Sequence, residues 1–294
     1  MDDGLVRLAR PSGAFAMVAL DQRESLRTML AAHAHGELDH EAVSDFKVAA
    51  TRILAPLASA VLLDVESGLA PVRDAGALPA GTGLIVAADR LTQRRGGPVE
   101  ATELDDDVMA DDAVAAVADA YKLLVIWREG TGDEARLRTV RSFVDACRRR
   151  GRPAVVEGIV RDGAGEPPPA DRHAELVLAA AAELGAVGPD VYKAEVPTLG
   201  RSDDAAITAA AERLTAILDC PWVVLSNGTD LLRFGDAAVA AARGGASGFL
   251  AGRAIWLDAL GASDVEAHLR TVAAPRLAGL AARIDTVARP WMEV

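Results

Sequence analysis

Eight short apolar β-like runs alternate with longer helical ones, polar residues gather where each run stops, and no stretch of the 294 residues reads as an interdomain linker. Together these observations predict one α/β domain over residues 1–294, a closed (β/α)8 barrel of the TIM-barrel class. The strands are expected at Phe15 to Leu20, Ala60 to Leu63, Leu84 to Ala87, Leu123 to Trp127, Ala154 to Glu157, Val191 to Glu195, Trp222 to Leu225 and Ser247 to Ala251. Helices are expected at Ser44 to Leu57, Asp112 to Ala120, Asp133 to Arg150, Asp171 to Leu184, Asp203 to Leu218 and Asp236 to Arg243. Each opens on Ser or Asp, whose side chain can accept from the free N–H groups of a first turn. Gly151 before Pro153 and Gly188 before Pro189 stop two of them ahead of the next strand. The stretch "DGAGEPPPAD" reads as a loop after the fifth strand.

An apolar fraction of 51% suffices for a large core, and with only 4% aromatics that core must be built mainly from Ala, Val and Leu. The formal charge of −12 argues against nucleic acid or an anionic membrane as partner, while leaving room for a small anion held by a local arginine cluster. Cys147 and Cys220 form no disulfide framework or metal-ligand spacing, the chain opens Met1-Asp2-Asp3 with no signal-like segment, and no apolar run reaches the ~18 residues of a membrane span. A cytoplasmic protein is expected. The apolar run Val272 to Ala282 could pack on the barrel or on a partner subunit.

Strand ends carry the polar chemistry: Asp21, Gln22 and Arg23 after the first, Asp64 after the second, Asp89 after the third, Glu157 on the fifth, Lys193 and Glu195 on the sixth, Ser226 after the seventh and Arg253 after the eighth. In a (β/α)8 barrel these ends converge on one face, where active sites are built.

Of 31 basic residues only Lys47, Lys122 and Lys193 are lysines. An amine, unlike a guanidinium, can lose its proton and attack a carbonyl carbon. Lys122 in "AYKLLVIW" and Lys193 in "DVYKAEVP" sit in apolar strands, where each either does such chemistry or satisfies a carboxylate. Strand alternation puts Lys193 and Glu195 on one side and Tyr192 and Ala194 on the other. Desolvation and a neighbouring Lys122 would favour the neutral amine; Glu157 and Glu195 push the other way. Lys47, in the helical "SDFKVAATRIL", is expected to fill a structural place.

After the seventh strand "LSNGTD" offers Ser226, Asn227 and Gly228, and after the eighth "GFLAGRAIW" offers Gly252 and Arg253. Glycine N–H groups, a hydroxyl and a guanidinium at this place in a barrel suit a phosphate. Arg23 is either an anchor for a second anion or one half of a salt bridge with Glu24 or another carboxylate. His33, His35, His40, His173 and His268 fall in predicted helices or loops, not at strand ends, so no metal is expected, and no organic cofactor either.

The segments "FAMVALDQRESLR", "DFKVAATRILAPLASAVLLD", "YKLLVIWR", "VYKAEVP", "PWVVLSNGTD" and "GASGFLAGRAIW" together resemble the class I ketose-phosphate aldolases that include tagatose 1,6-bisphosphate aldolase and 6-deoxy-6-sulfofructose-1-phosphate aldolase, over about residues 10 to 280. The resemblance implies Lys193 as the Schiff-base lysine attacking C2 of a ketose 1-phosphate, with Lys122 and Glu157 moving protons around the imine. It implies Asp21 and Gln22 as contacts to substrate hydroxyls, Ser226, Gly228, Gly252 and Arg253 as the phosphate site, and Arg23 facing the far anion. Of the two branches it favours the sulfofructose phosphate one, giving dihydroxyacetone phosphate and 3-sulfolactaldehyde, with the tagatose bisphosphate branch as the alternative. It also implies a homo-oligomer. Two departures stand out: Gly158 follows Glu157 where that branch has proline, and Asn227 stands where it often has serine. A reading of another class, a non-catalytic barrel that binds a sugar phosphate, would leave Lys122, Glu157 and Lys193 without a common purpose.

Overall fold

The structure, a computed structural model, describes residues 3–33, 41–93, 97–130, 133–162 and 168–294. His35, His40 and most of the proline-containing loop of the sequence reading lie outside the described residues. In chain order the strands are β1 (Phe15–Leu20), β2 (Ala60–Leu63), β3 (Gly83–Ala87), β4 (Asp89–Gln93), β5 (Val99–Leu104), β6 (Ala120–Arg128), β7 (Ala154–Arg161), β8 (Val191–Glu195), β9 (Trp222–Leu225) and β10 (Gly248–Ala251). Eight of them close into a parallel barrel, β1-β10-β9-β8-β7-β6-β3-β2, and β4 pairs with β5 in a separate antiparallel hairpin. Each barrel strand is buried on both faces, the reason these runs are apolar at nearly every position.

Strand alternation separates the two cores. Phe15, Met17, Ala19, Leu62, Ile85, Val155, Val191, Val223 and Leu250 fill the barrel interior, while Ala16, Val18, Leu20, Val156, Tyr192 and Phe249 face the helices. Following the same parity, Lys122, Leu124 and Ile126 on β6, Glu157, Ile159 and Arg161 on β7, and Lys193 and Glu195 on β8 belong to the inner face. The expected pairing of Lys193 with Glu195 on one side is therefore what the barrel has. Register fixes their heights: Leu124 lies opposite Glu157, and Glu157 opposite Lys193.

Several element boundaries move. The predicted helix from Asp112 stops at Ala115, because Asp119 is already tied to β3, its N–H donating to the Leu84 carbonyl and its carboxylate accepting from Leu84 N at 2.9 Å; Ala120 then opens β6. The helix expected from Asp236 begins at Leu231, since Asp230 caps it by accepting from Leu232 N at 2.9 Å. Strands β6 and β7 run on in register to Arg128 and Arg161, past the predicted ends at Trp127 and Glu157. The run after Val272 enters the helix Ala274–Asp285, whose Leu277, Leu280, Ala281 and Ile284 are buried in the main core. No helix among the described residues is long and apolar enough to cross a membrane.

Candidate active site

At the C-terminal ends of the strands opens a cavity of about 390 Å³, lined among others by Asp21, Gln22, Arg23, Glu157, Arg161, Lys193, Ser226, Asn227, Gly252 and Arg253. Its floor is the apolar barrel interior, so charged side chains in the layer above are desolvated and must satisfy one another. Lys193 is 3% exposed and its Nζ donates to Glu157 Oε2 at 2.9 Å. The same carboxylate oxygen lies 3.0 Å from Lys122 Nζ, which also donates to Asp21 Oδ2 at 2.7 Å and to Asp89 Oδ2 at 3.0 Å.

Lys122 thus sits among three carboxylates. Burial by itself would lower its pKa, but Asp21, Asp89 and Glu157 outweigh burial and hold it well above the usual lysine range. It is a fixed cation, and it stands behind the cavity wall: the lining contains Glu157 and Asp21 but not Lys122. Burial would likewise raise the carboxyls of Glu157 and Asp21; the charges of Lys122 and Lys193 overcome it and depress both, so each is a carboxylate at neutral pH.

Gln22 lines the cavity, and its Oε1 is buried without a partner, an acceptor open to a ligand donor. Arg23 reaches the cavity but its guanidinium is engaged, Nη1 donating to the Asp89 carbonyl at 2.8 Å and Nη2 to Asp89 Oδ1 at 3.0 Å. Of the two options left by the sequence, a carboxylate partner is present, and it is Asp89 and not Glu24. Asp89 also accepts from Leu124 N at 3.0 Å, so it joins β6 to both cations.

Asp64 and Glu195, expected on the active-site face with the other strand-end residues, do not line the cavity. Asp64 is fully buried and absent from the lining; it pairs with Lys47 and accepts from Ser67 N at 2.8 Å, closing the turn after β2. Lys47 is likewise fully buried in this pair and does not line the cavity. Glu195 is 1% exposed and also lies behind the wall, accepting from Val160 N at 2.8 Å and from Asn227 Nδ2 at 2.8 Å.

On the opposite rim Asn227 Oδ1 accepts from Arg253 Nη2 at 2.7 Å. Burial lowers the Arg253 pKa, with the charge of Arg161 adding to it against the carboxylates Glu157, Asp21 and Glu195. Gly252 is where the backbone comes close: a Cβ there would meet the Ala19 carbonyl oxygen at 2.7 Å and Gln22 Nε2 at 2.9 Å. Ser226, Asn227, Gly252 and Arg253 line the cavity together, whereas Gly228 does not; its φ of +72° forms the turn beneath them. Sequence reading missed Arg161, four residues beyond Glu157 on the same inner face, because the strand was ended too early. It also missed the β4–β5 hairpin, which brings Leu91, Gln93 and Val99 to the mouth. The described histidines stand apart: His33 Nδ1 lies 2.8 Å from the Met29 carbonyl, His173 is buried beside Glu195, and His268 lies beside Asp258.

The arrangement offers a buried primary amine, a carboxylate within proton-transfer distance, a fixed cation behind that carboxylate, and an arginine-bearing rim. These are the parts needed for attack on a carbonyl and proton shuttling at a substrate held by an anionic group.

The family model described as "DeoC/LacD family aldolase" matches residues 15–258. Tagatose 1,6-diphosphate aldolase of Listeria monocytogenes is 28% identical over 321 residues, spanning 98% of this chain and 93% of the relative. Tagatose 1,6-diphosphate aldolase 1 of Streptococcus pyogenes is 28% identical over 322 residues, spanning 96% and 94%. Among solved structures, fructose-bisphosphate aldolase from Plasmodium falciparum superposes with a TM-score of 0.75 at 13% identity, covering 98% of this chain and 94% of that one. The fructose-bisphosphate aldolase of Slackia heliotrinireducens gives 0.64 at 16% identity, covering 97% and 89%. At these identities the structural likeness is one of fold, a (β/α)8 barrel.

Proposed function

The chain belongs to the DeoC/LacD family of aldolases, which are lyases, and from that premise we propose that it is a metal-independent, Schiff-base aldolase cleaving a ketose 1-phosphate with a second anion at its far end. The observation that carries this reading is the Lys193 amine, buried at the foot of the cavity with its Nζ 2.9 Å from Glu157.

In this reading Lys193, once its proton has passed to Glu157, attacks C2 of the ketose. Glu157 then protonates the carbinolamine hydroxyl, which leaves as water and yields the iminium. Glu157, once more a carboxylate, takes the C4 hydroxyl proton, and the C3–C4 bond breaks, its electron pair flowing into the iminium to give an enamine on Lys193 and a free aldehyde. Protonation at C3 and hydrolysis return dihydroxyacetone phosphate and the free amine. Lys122 holds Glu157 and Asp21 in place and ionised; Asp21 and Gln22 face the hydroxyls; Ser226, Asn227, Gly252 and Arg253 hold the C1 phosphate. Arg23 faces the far anion with its charge partly offset by Asp89.

Tagatose 1,6-bisphosphate stands first as substrate, because the relatives of that name match nearly the whole chain. The sulfofructose 1-phosphate expectation from sequence becomes the second reading, favoured by the Arg23–Asp89 pair: a partly neutralised cation suits a singly charged sulfonate better than a phosphate carrying about −1.5 to −2. Borohydride added with dihydroxyacetone phosphate is expected to reduce the imine and leave a covalent mass on Lys193. No adduct, or full activity in Lys193→Met, sinks the Schiff-base reading. Comparing kcat/KM for tagatose 1,6-bisphosphate, sulfofructose 1-phosphate and fructose 1,6-bisphosphate ranks the substrates. The homo-oligomeric state is tested by sedimentation and the cytoplasmic location by fractionation.

A further inference from the structure

Glu195 is a buried carboxylate on the inner face of the barrel, two residues from the proposed nucleophile, yet it does not line the cavity. A negative charge placed beneath a site for an anion is unfavourable unless it organises something. Its hydrogen bonds show what it organises. One oxygen accepts from Val160 N at 2.8 Å, which fixes the carboxylate against β7; the other accepts from Asn227 Nδ2 at 2.8 Å.

An asparagine amide has a donor end and an acceptor end, and a carboxylate can only accept. Glu195 therefore selects the Nδ2 end of Asn227 and turns Oδ1 outward, where it accepts from Arg253 Nη2 at 2.7 Å. The relay matters because its middle member is neutral. Arg253 is oriented by an amide oxygen and keeps its positive charge for a ligand, whereas a carboxylate in direct contact would spend it. Arg161 Nη1 lies 4.0 Å from Glu195 Oε1, and His173 Nε2 lies 3.6 Å from Oε2, so the same carboxylate sits at the junction of the arginine-bearing rim.

We propose that Glu195 is a positioning residue for anion recognition, acting through the Asn227 amide to aim the Arg253 guanidinium at the substrate phosphate. It rests on the aldolase reading only for its kinetic readout, since binding of inorganic phosphate can be measured whether or not the protein turns over.

A double-mutant cycle tests it, with inorganic phosphate as the probe in calorimetry and the preferred ketose phosphate in steady-state kinetics. Glu195→Gln, which keeps the shape but no longer dictates the amide orientation, is expected to weaken phosphate binding about tenfold, as is Asn227→Ala, each removing an interaction made to a charged group. KM should rise by a similar factor while kcat falls less than about threefold. The double variant should bind phosphate only about tenfold more weakly than wild type, not about a hundredfold, because Glu195 has nothing left to act through. Unaltered phosphate affinity in the single variants, or additive losses in the double, overturns the proposal; a lowered melting temperature with phosphate affinity intact also overturns it, since that is a purely structural role. If Glu195→Gln does not fold, Asn227→Ala is combined with Arg253→Ala instead: a double variant no weaker in phosphate binding than Arg253→Ala alone supports action through the guanidinium, and additive losses, the mark of a direct Asn227 contact, overturn the relay. Failure of imine trapping in the wild type would remove the aldolase reading and leave the calorimetric result standing.

Discussion

Lys193 Nζ donates to Glu157 Oε2 at 2.9 Å, and that one oxygen is also 3.0 Å from Lys122 Nζ. A carboxylate bridging two ammonium groups is held anionic at rest by Lys122, which keeps its proton, and is placed to accept the proton of Lys193, which separates the work of the two lysines. Glu157→Gln preserves the shape and removes the base. It is expected to lower kcat by about a hundredfold to ten-thousandfold, the range for loss of a general acid–base group, with KM changed far less. Single-turnover kinetics with borohydride trapping check it: the imine should form slowly, and a rate like that of wild type would assign the proton transfer elsewhere.

Lys122→Met tests the fixed cation. It leaves Asp21, Asp89 and Glu157 facing one another without their common partner, and removing one side of a buried ion cluster costs about 3–5 kcal/mol. The pH dependence follows from the directions of the shifts. Asp21 and Glu157 are both depressed in the folded protein, so the stability they contribute is present above the unfolded carboxylate values of about 3.9 and 4.3 and is lost as pH falls through their lower folded values. Wild-type stability should therefore hold from neutrality down to about pH 4 and decline below it. In Lys122→Met the uncompensated carboxylates gain from protonation, so chemical denaturation between pH 7 and pH 5 should show stability rising as pH falls. The same slope in both proteins would place the stabilising charge elsewhere.

Asp64 separates a structural from a substrate role. With Lys47 and Asp64 both fully buried and paired, Asp64→Ala strands an ammonium in the core and should cost about 3–5 kcal/mol in urea denaturation. Lys47→Met with Asp64→Leu, which removes both charges, should recover most of that loss. At a temperature where the variants are folded, KM should stay near wild type. A rise in KM with stability retained would return Asp64 to the substrate.

The barrel was legible because burial on both faces of each parallel strand leaves an apolar run, and eight such runs between capped helices admit few architectures. The inner-face position of Lys193 was legible from strand parity and its interest from the cost of an amine in an apolar strand, while Glu157 was legible as a carboxylate at a strand end. Partner choice was not. Nothing along the chain says that Asp89, 66 positions from Arg23, will take Lys122 and Leu124 of β6 as well as that guanidinium, or that Lys47 will claim Asp64. Those pairings depend on the heights of strand ends around the closed barrel. Arg161 was hidden for a simpler reason: the fifth strand is expected to end at Glu157, and β7 runs on through Gly158 to Arg161.

Gly158 itself can be tested. A Cβ there would fall inside the contact distance of the Tyr192 hydroxyl oxygen and 3.1 Å from the ring carbon that bears it. Tyr192 is on the helix-facing side of β8 and buried, so its ring cannot swing out to relieve the clash. Gly158→Ala should therefore destabilise by about 1–3 kcal/mol, the usual cost of overpacking a close-packed core. Since Glu157 is the preceding residue, the displaced strand should also lower kcat. Tyr192→Phe removes the oxygen that the methyl meets, so the double variant should regain part of both losses. Equal stability of Gly158→Ala and wild type in thermal denaturation would mean that β7 can shift without moving Glu157, and that the glycine is not required by its tyrosine neighbour.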